Sequence, residues 1–459
     1  MGRRSHSRAL NVWANGQLVG QWRIPARGPI EFQYDSSWVA SAEARPLSLS
    51  LPMNLDNRPL KGEAVGFYFD NLLPDSEPIR RRIQSKFRTQ SRDAFDLLEA
   101  IGRDCVGAVR LLPENKAPED AFNIHVEPLD EAGVEKLLIS AVATSRSPGY
   151  GGENGEGFRI SIAGAQEKTA LTWHGGRWCR PHGATPTTHI FKLPLGLVGH
   201  RQADMRTSVE NEWLCAELLR AYGLQIARCE IQKFGTQKVL VVERFDRKLA
   251  ASGQYWLRLP QEDFCQATGT PSSAKYEAEG GPGVVDIARI LHSSEARNED
   301  LSTLLRAQLH FWMLAATDGH AKNFSLYLLA GARYRLTPLY DVLSAWPVTG
   351  DGPNHLDRNK LKLAMALRGK SAHYRIRDIR RRHFNATAHK CGLGQDMEGL
   401  IDEVLAQTPK VIEQVGASLP PGFPEDVFES ITRGLLESAE RLKVDAELQP
   451  VPGSSRNYY

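Results

Sequence analysis

Alternating apolar and polar residues near the start of the chain predict a hairpin. The segments Leu10–Ala14 and Gln17–Ile24 flank Asn15-Gly16, a dipeptide typical of two-residue hairpin turns. Short apolar runs at Phe32–Tyr34 and Leu47–Leu51 predict two further strands. The first part of the chain therefore contains a small sheet.

Helical periodicity follows this strand region. Pro52, Pro59 and Gly62 mark loops, and the segments Ile79–Phe87 and Ala94–Ile101 have the spacing of short helices. Strands and helices so close together predict a small mixed domain over residues 1–115.

The middle of the chain predicts a connector and then a β-rich lobe. The glycine-rich stretch 145–157 favours no regular structure, so residues 116–157 are expected to connect two domains. An amphipathic helix is predicted over 208–222, and residues 158–248 form the predicted lobe. The strand-like runs in this lobe are Phe158–Ile162, Thr169–Trp173, His189–Leu193 and Lys238–Arg244.

Beyond residue 260 the helical pattern dominates. Apolar residues recur with helical spacing over 284–292, 300–316, 396–407 and 426–443. The predicted fold class is therefore α+β, with a larger helical lobe over residues 249–459.

Composition excludes several protein classes. Of the 459 residues 41% are hydrophobic and 24% are charged, as in ordinary globular proteins, and the longest apolar stretch, Phe311–Ala316, is far below a membrane span of about 20 residues. The net charge of +3 predicts no nucleic-acid binding by bulk charge. Six scattered cysteines without a C-x-x-C pair, and no signal peptide, favour reduced thiols in a cytoplasmic protein.

The most informative motif lies after the predicted helix over 300–316. Asp318 and Asn323 are separated by four residues, the spacing of the catalytic loop of protein kinases. A predicted hairpin follows (Ser325–Leu329 and Tyr334–Thr337), and Asp341 comes directly after it, where kinases have an acidic magnesium ligand. The alternative is that Asp318 and Asn323 are ordinary turn residues at the end of a helix. The order helix, loop, hairpin and aspartate favours the kinase-like interpretation.

Other elements of a phosphotransfer site precede this loop in the expected order. Lys192 ends a strand-like run and resembles the lysine that holds ATP phosphates, and Glu212 or Glu210 on the next helix would be its carboxylate partner. The segment 161–168 lies between two predicted strands, where a phosphate-covering loop would be, although an ordinary hairpin connection would look the same. Residues 241–247 would be the hinge that meets adenine, or simply the end of a strand.

These segments together resemble the HipA family, the Ser/Thr protein kinases that act as toxins of bacterial type II toxin–antitoxin systems. The resemblance rests on several motifs in order and covers nearly the whole chain. The motifs are Tyr68-Phe-Asp-Asn-Leu-Leu-Pro74, Ser161-Ile-Ala-Gly-Ala-Gln-Glu-Lys-Thr-Ala-Leu, Thr187-Thr-His-Ile-Phe-Lys-Leu-Pro, Val242-Glu-Arg-Phe-Asp-Arg, Leu259-Pro-Gln-Glu-Asp, Thr317-Asp-Gly-His-Ala-Lys-Asn-Phe-Ser and Leu336-Thr-Pro-Leu-Tyr-Asp.

The resemblance implies a bilobal protein-kinase-like core preceded by the small mixed domain, with ATP and Mg²⁺ as cofactors. Asp318 would be the catalytic base, Asn323 and Asp341 would hold magnesium, and Lys192 would contact the ATP phosphates. Ser161 would be the serine that family members autophosphorylate, which expels the phosphate loop and silences the kinase. The other residues expected around ATP are Ile162, Ala163, Gly164, Ala165, Gln166, Glu167 and Lys168 in the phosphate loop, Glu243 and Phe245 in the hinge, and His320, Lys322 and Tyr340 near the catalytic loop.

The resemblance also implies partners. They are a HipB-type helix-turn-helix antitoxin, operator DNA bound mainly through that antitoxin, and a protein substrate of the translation machinery such as an aminoacyl-tRNA synthetase. Growth arrest and persistence would follow. The basic run Arg375–His383 is either a solvated helix face or a contact to DNA phosphates.

Two other functions are weighed against this kinase toxin. One is a corepressor that binds ATP with little transfer activity, and the other is a small-molecule or lipid kinase. The intact Lys192, Asp318, Asn323 and Asp341 argue against the first, and the segment around Ser161 disfavours the second.

Overall fold

A first hydrophobic core lies between Leu10 and Leu111 in the computed structural model, which describes residues 7–142, 166–199 and 201–447. Four short helices pack on a five-stranded antiparallel sheet of order β4-β3-β2-β1-β5. The strands are β1 Arg8–Ala14, β2 Gln17–Ile24, β3 Glu31–Tyr34, β4 Leu60–Lys61 and β5 Arg110–Pro113, and the helices are α1 Ser36–Val39, α2 Glu63–Asp70, α3 Glu77–Phe87 and α4 Ala94–Ile101.

The hairpin, the strand around Phe32 and the two helices predicted here are confirmed. The strand predicted at Leu47–Leu51 is wrong, because this segment is a turn in which Leu51 N donates to Ser48 O at 3.0 Å. The hydroxyl of Tyr34 accepts from Leu47 N at 2.6 Å and donates to Leu51 O, and this tertiary contact buries the apolar side chains without a strand.

A second sheet of six antiparallel strands, in the order β12-β13-β9-β7-β8-β6, forms the smaller lobe. Helix α5 covers one face of this sheet and helix α6 lies against β12 and β13. The elements are β6 Val126–Pro128, α5 Glu131–Val142, β7 Lys168–His174, β8 Arg177–Pro181, β9 His189–Lys192, β10 Gly196–Val198, β11 Ala203–Met205, α6 Ser208–Ala221, β12 Cys229–Phe234 and β13 Gln237–Glu243.

The strands predicted at 169–173, 189–193 and 238–244 and the helix at 208–222 are confirmed within two residues. Helix α5 was not anticipated inside the expected connector. The predicted loop 145–157 and the predicted strand 158–162 lie outside the described residues.

The larger lobe is mainly helical, and its extensive hydrophobic core also includes residues of α6, β12 and β13. All four predicted helices are present, together with a three-stranded sheet (β16-β17-β18) and two hairpins, so this lobe is not entirely α-helical. The elements are β14 Arg247–Leu249, β15 Trp256–Arg258, β16 Gln261–Asp263, α7 Phe264–Thr268, α8 Val284–Leu291, α9 Arg297–Met313, β17 Ser325–Leu329, β18 Arg333–Leu336, β19 Lys362–Arg368, β20 Ala372–Arg375, α10 Arg381–Lys390, α11 Glu398–Gly416 and α12 Glu425–Glu447.

Three short strands of this lobe were missed for a physical reason. Strands β14, β15 and β16 have three residues each, too few for an alternating pattern to show, and they exist because they pair with neighbours.

No helix among the described residues is both long and apolar enough to cross a membrane.

A buried charge network joins the first core to the two lobes. Asp104, just before β5, accepts from Arg247 at 3.0 Å, from Arg258, and from the Thr187 hydroxyl at 2.6 Å. All four side chains are buried. Burial alone would raise the pKa of Asp104, but the charges of Arg258, Arg247 and Arg244 hold it well below its ordinary value. The network therefore keeps an ionised carboxylate at the junction of three parts of the chain.

We predict that Asp104→Asn destabilises the fold by about 3–5 kcal/mol, because buried arginines lose the carboxylate that neutralises them. Chemical denaturation of the full chain measures this. Asp56→Asn is the matched control, since Asp56 is exposed and pairs with Arg58 at the surface, and its effect should stay within about 0.5 kcal/mol. Equal stability of the two variants would show that Asp104 does not stabilise the fold in this way.

Candidate active site

A cleft between the six-stranded sheet and the helical lobe collects most of the residues expected to carry the chemistry. Apolar side chains line one end and charged side chains the other, as in sites that orient a ligand with a few polar groups. Among the residues that line it are Lys168, Lys192, Glu212, Val242, Glu243, Phe245, Asp318, His320, Lys322, Asn323, Tyr340 and Asp341. The residues expected at the site and described by the structure thus largely come together.

Lys192 is the central cation of this cleft. It ends β9, between Leu240 of β13 and Lys168 of β7 in the sheet register. Its Nζ donates to Glu212 Oε1 at 2.6 Å and to Asp341 Oδ1 at 2.7 Å. Of the two partners considered for this lysine, the structure brings Glu212 to it, whereas Glu210 accepts from Lys238.

Electrostatics fix the charges of Lys192 and Asp341 in this triad. Burial would lower the pKa of Lys192, but the charges of Asp341 and Glu212 outweigh it and raise the pKa, so the ammonium remains charged. Burial would likewise raise the pKa of Asp341, but Lys192 and then Lys168 lower it to about 2. Burial raises the pKa of Glu212 to about 7. The cleft therefore contains a permanent cation beside a permanent anion.

Asp341 is held in an unusual backbone conformation. It follows β18 and has a φ of 61°, the left-handed region that few residues other than glycine adopt. Such conformations cost free energy and occur where the surroundings impose them, often at functional sites. Here the conformation places the Asp341 carboxylate against Lys192.

The loop after α9 carries the predicted catalytic pair. Asn323 Nδ2 donates to the backbone oxygen of Asp318 at 2.8 Å and to that of Asp341 at 3.5 Å, so one amide links both acidic residues. A side chain at Gly319 would place its Cβ 2.4 Å from the Phe311 ring, so the loop can pack here only with glycine. The Asp318 side chain remains 59% exposed, and Asp318 lines the cleft.

Three further side chains, those of Tyr276, His320 and Lys322, lie in the loop or contact it. The hydroxyl of Tyr276 donates to Asp318 Oδ1, and the Tyr276 ring meets the His320 ring edge-on at 5.1 Å. Burial lowers the pKa of His320, so this imidazole is neutral and packs beside Asp318. Lys322 lines the cleft, but its Nζ forms an ion pair with Asp75 Oδ1 at 2.8 Å.

The hinge forms the apolar end of the cleft. Strand β13 ends at Glu243, which is exposed and lines the cleft. The Phe245 ring lies 5.7 Å from the Tyr340 ring and 5.9 Å from the Tyr327 ring. Together with Val242 it offers the flat apolar surface that a purine base needs.

The expected phosphate loop is described only at its end. Ser161, Ile162, Ala163, Gly164 and Ala165 lie outside the described residues.

The described residues of that loop are Gln166, Glu167 and Lys168. Gln166 Nε2 donates to Leu193 O at 2.5 Å, and Glu167 pairs with Arg82 of α3. Lys168 lines the cleft, and burial together with Lys192 lowers its pKa to about 8. The described end of the loop therefore lies at the cleft.

Some residues of the site were missed from the sequence. Asn71, Asp75, Lys275 and Tyr276 all line the cleft or contact Asp318. The first two lie in or beside the quoted Tyr68–Pro74 motif, which could have indicated them. Nothing local distinguishes Lys275 and Tyr276, because their importance depends on contacts with distant segments.

The basic run Arg375–His383 lies away from the cleft. Its Arg375, Arg377, Arg380 and Arg382 are exposed, whereas Arg381 is buried and paired with Glu398 and Asp402.

Comparison with known proteins gives consistent matches. Residues 10–112 match the HipA N-terminal domain and residues 160–412 the HipA-like C-terminal domain. The chain is 37% identical over 341 residues (73% of this chain and 77% of the relative) to the Sinorhizobium fredii protein named "Putative kinase Y4mE". It is 27% identical over 349 residues (73% and 75%) to the Shewanella oneidensis "Serine/threonine-protein kinase toxin HipA". Among solved structures, the Shewanella oneidensis HipA in complex with HipB and operator DNA superimposes with a TM-score of 0.76 at 23% identity, covering 95% of this chain and 98% of that one.

We predict that Lys192→Met lowers the free energy of unfolding by about 3 kcal/mol, because Glu212 and Asp341 then face each other without a cation. The deficit should be smallest below about pH 7, where Glu212 is protonated in both proteins, and should grow as the pH rises above 7, because without Lys192 this carboxyl keeps its proton to a higher pH. Chemical denaturation across pH measures this. Lys443→Met, which removes a cation paired with Glu440 on the surface of α12, should show little loss at any pH. A pH-independent loss in Lys192→Met would contradict the electrostatic origin.

Proposed function

Since the chain belongs to the HipA family, we propose that it is a Ser/Thr protein kinase toxin of a type II toxin–antitoxin system that transfers the γ-phosphate of ATP to a protein. One observation carries this proposal. Lys192 bridges Glu212 and Asp341 at the cleft that also contains Asp318 and Asn323, which is the arrangement that active protein kinases require.

The protein's own residues have distinct roles in this mechanism. The ammonium of Lys192, kept charged by Asp341 and Glu212, would hold phosphate oxygens at the charged end of the cleft. Asp318, exposed on the cleft, would accept the proton of the substrate hydroxyl and orient its oxygen for attack. Phe245 and the backbone of Glu243 would hold the adenine at the apolar end.

The residues present fit a magnesium ion. Asn323 uses Nδ2 for the two backbone oxygens, which leaves its amide oxygen for a cation, and Asp341 offers Oδ2 because Oδ1 accepts from Lys192. Among the described residues no three His, Cys, Asp or Glu side chains converge as a complete metal site. Magnesium usually takes only one or two protein ligands and fills its shell with phosphate oxygens and water. Bound there, it would neutralise phosphate charge.

The partners are proposed by similarity. The solved relative is a HipA, HipB and operator DNA complex, so we propose a HipB-type antitoxin for this chain and operator autoregulation mainly through it. The exposed arginines of the 375–382 run are the candidate for any direct contact to DNA phosphates. As substrate we propose a cytoplasmic protein of the translation machinery, such as an aminoacyl-tRNA synthetase, with growth arrest and persistence as the outcome.

We also propose the domain boundaries expected from the sequence. They are an N-terminal domain over 1–115, a connector over 116–157, the smaller lobe over 158–248 and the helical lobe over 249–459. The separate hydrophobic core between Leu10 and Leu111 supports the first boundary.

We predict that Asp318→Asn lowers the rate of phosphate transfer by about 100-fold or more, because the amide cannot accept the proton of the attacking hydroxyl. Transfer of label from γ-labelled ATP to lysate proteins, and growth arrest on expression, measure this. Asp286→Asn is the control, because Asp286 is a half-exposed carboxylate whose contacts with Arg289 and Gly283 N lie at the first turns of α8. Full activity in Asp318→Asn would refute the assignment of the base.

The corepressor alternative makes a different prediction for the unmodified chain. It requires nucleotide binding without phosphate transfer, even after phosphatase treatment. That result would replace the kinase proposal, while labelling of metabolites alone would indicate a small-molecule kinase.

We further predict that Ser161→Ala abolishes self-labelling and prolongs activity towards other proteins. A phosphate on Ser161 would add nearly two negative charges to a loop that approaches ATP phosphates, and repulsion would expel the loop. Phosphopeptide mapping of the purified chain checks the site. Self-labelling that persists in Ser161→Ala would contradict this autophosphorylation site, and Ser140→Ala in α5 is the matched serine control.

A further inference from the structure

The segment 70–75 of the N-terminal domain reaches the active-site cleft. Asn71 and Asp75 line this cleft together with Lys322 and Asn323 of the catalytic loop. Asp75 follows the Tyr68–Pro74 motif and precedes α3. A domain that precedes the kinase-like core in the chain therefore contributes side chains to the site.

Asp75 forms two ion pairs with lysines of the larger lobe. Its Oδ1 lies 2.8 Å from Lys322 Nζ and its Oδ2 lies 3.0 Å from Lys275 Nζ. The three side chains are only 13%, 4% and 15% exposed, so solvent screens these pairs weakly. Burial would raise the pKa of Asp75, but the two lysines lower it, and the carboxylate stays ionised.

Each of these lysines is the chain neighbour of a residue at the reacting end of the cleft. Lys322 immediately precedes Asn323, the amide that links the Asp318 and Asp341 backbones. Lys275 immediately precedes Tyr276, whose hydroxyl donates to Asp318. One carboxylate therefore fixes two segments that meet at Asp318.

Two further hydrogen bonds hold the loop that bears Lys275 and Tyr276 to the segment 70–75. Asp70 Oδ2 accepts from Ser272 Oγ at 2.7 Å, and Asn71 Nδ2 donates to Thr270 O at 2.9 Å. The loop that bears Tyr276 is thus held against the N-terminal domain at several points. Among these contacts, the one between Asp75 and Lys275 lies next to Tyr276, the residue that contacts Asp318.

We propose that Asp75 is a positioning residue for phosphate transfer, which through Lys322 and Lys275 holds the catalytic loop and Tyr276 around Asp318. The inference rests on the proposed kinase function. It makes the N-terminal domain part of the active site. Misplacing a reacting group by about 1 Å can lower the rate of a reaction about 100-fold. Losing the two ion pairs, which hold the residues next to Asn323 and Tyr276, would therefore slow phosphate transfer.

The test is Asp75→Asn in the full chain, with γ-labelled ATP and lysate proteins as acceptors. The maximal rate should fall by about 10- to 100-fold, whereas the half-saturating ATP concentration should change by less than about threefold, because Asp75 contacts neither hinge nor Lys192. Asp56→Asn, at an exposed carboxylate of the same domain, should leave both values unchanged.

A second variant keeps the inference testable if Asp75→Asn fails to fold. Lys275→Met removes one ion pair and leaves the Asp75–Lys322 pair, so it should cause a smaller loss of maximal rate. Where both variants fold, the double variant should be no slower than Asp75→Asn alone, because both substitutions interrupt the same connection.

The outcomes separate the two proposals. A wild-type chain that is inactive even after phosphatase treatment would contradict the kinase function itself. An active wild type with a fully active Asp75→Asn or Lys275→Met variant would overturn only the role of Asp75. A parallel loss of ATP affinity, melting temperature and rate in Asp75→Asn would show that Asp75 merely holds the domains together, and would also overturn it.

Discussion

The rest of the site depends on the two ion pairs that the buried ammonium of Lys192 forms. This ammonium is buried between Glu212 and Asp341, and these three residues come from a strand, a helix and the segment after a hairpin. A buried ammonium requires carboxylate partners, because an unpaired charge in this environment would cost several kcal/mol. The two lobes must therefore approach each other at this point, and the cleft with Asp318 and Asn323 is the consequence.

Buried charge also joins the N-terminal domain to the core, at two places. Near the hinge, Asp104 neutralises Arg247 and Arg258, and at the catalytic loop Asp75 neutralises Lys322 and Lys275. Ion pairs of this kind add little net stability compared with apolar packing, but they specify which surfaces meet, since only complementary charges can be buried together. The two contacts therefore fix the position of this domain at both ends of the cleft.

The elements around the site could be predicted where the pattern is local. Helix α9, the hairpin of β17 and β18 and strand β9 follow from periodicity, and the spacing from Asp318 to Asn323 pointed to their loop. The strand expected at Leu47–Leu51 is a turn because Tyr34, distant in sequence, binds its backbone. Strands β14–β16 were missed since three residues carry no detectable alternation.

The sequence by itself determined the family, the order of the elements and the chemical groups available, because motif spacing and hydrophobic period are properties of neighbouring residues. Only the tertiary structure decided which groups meet: that Lys192 takes Glu212 and not Glu210, and that Tyr276 and Asp75 reach the catalytic loop. Contacts between residues separated by up to about 250 positions depend on how whole elements pack. No local pattern encodes that packing, because the free energy that selects it is shared by the entire core.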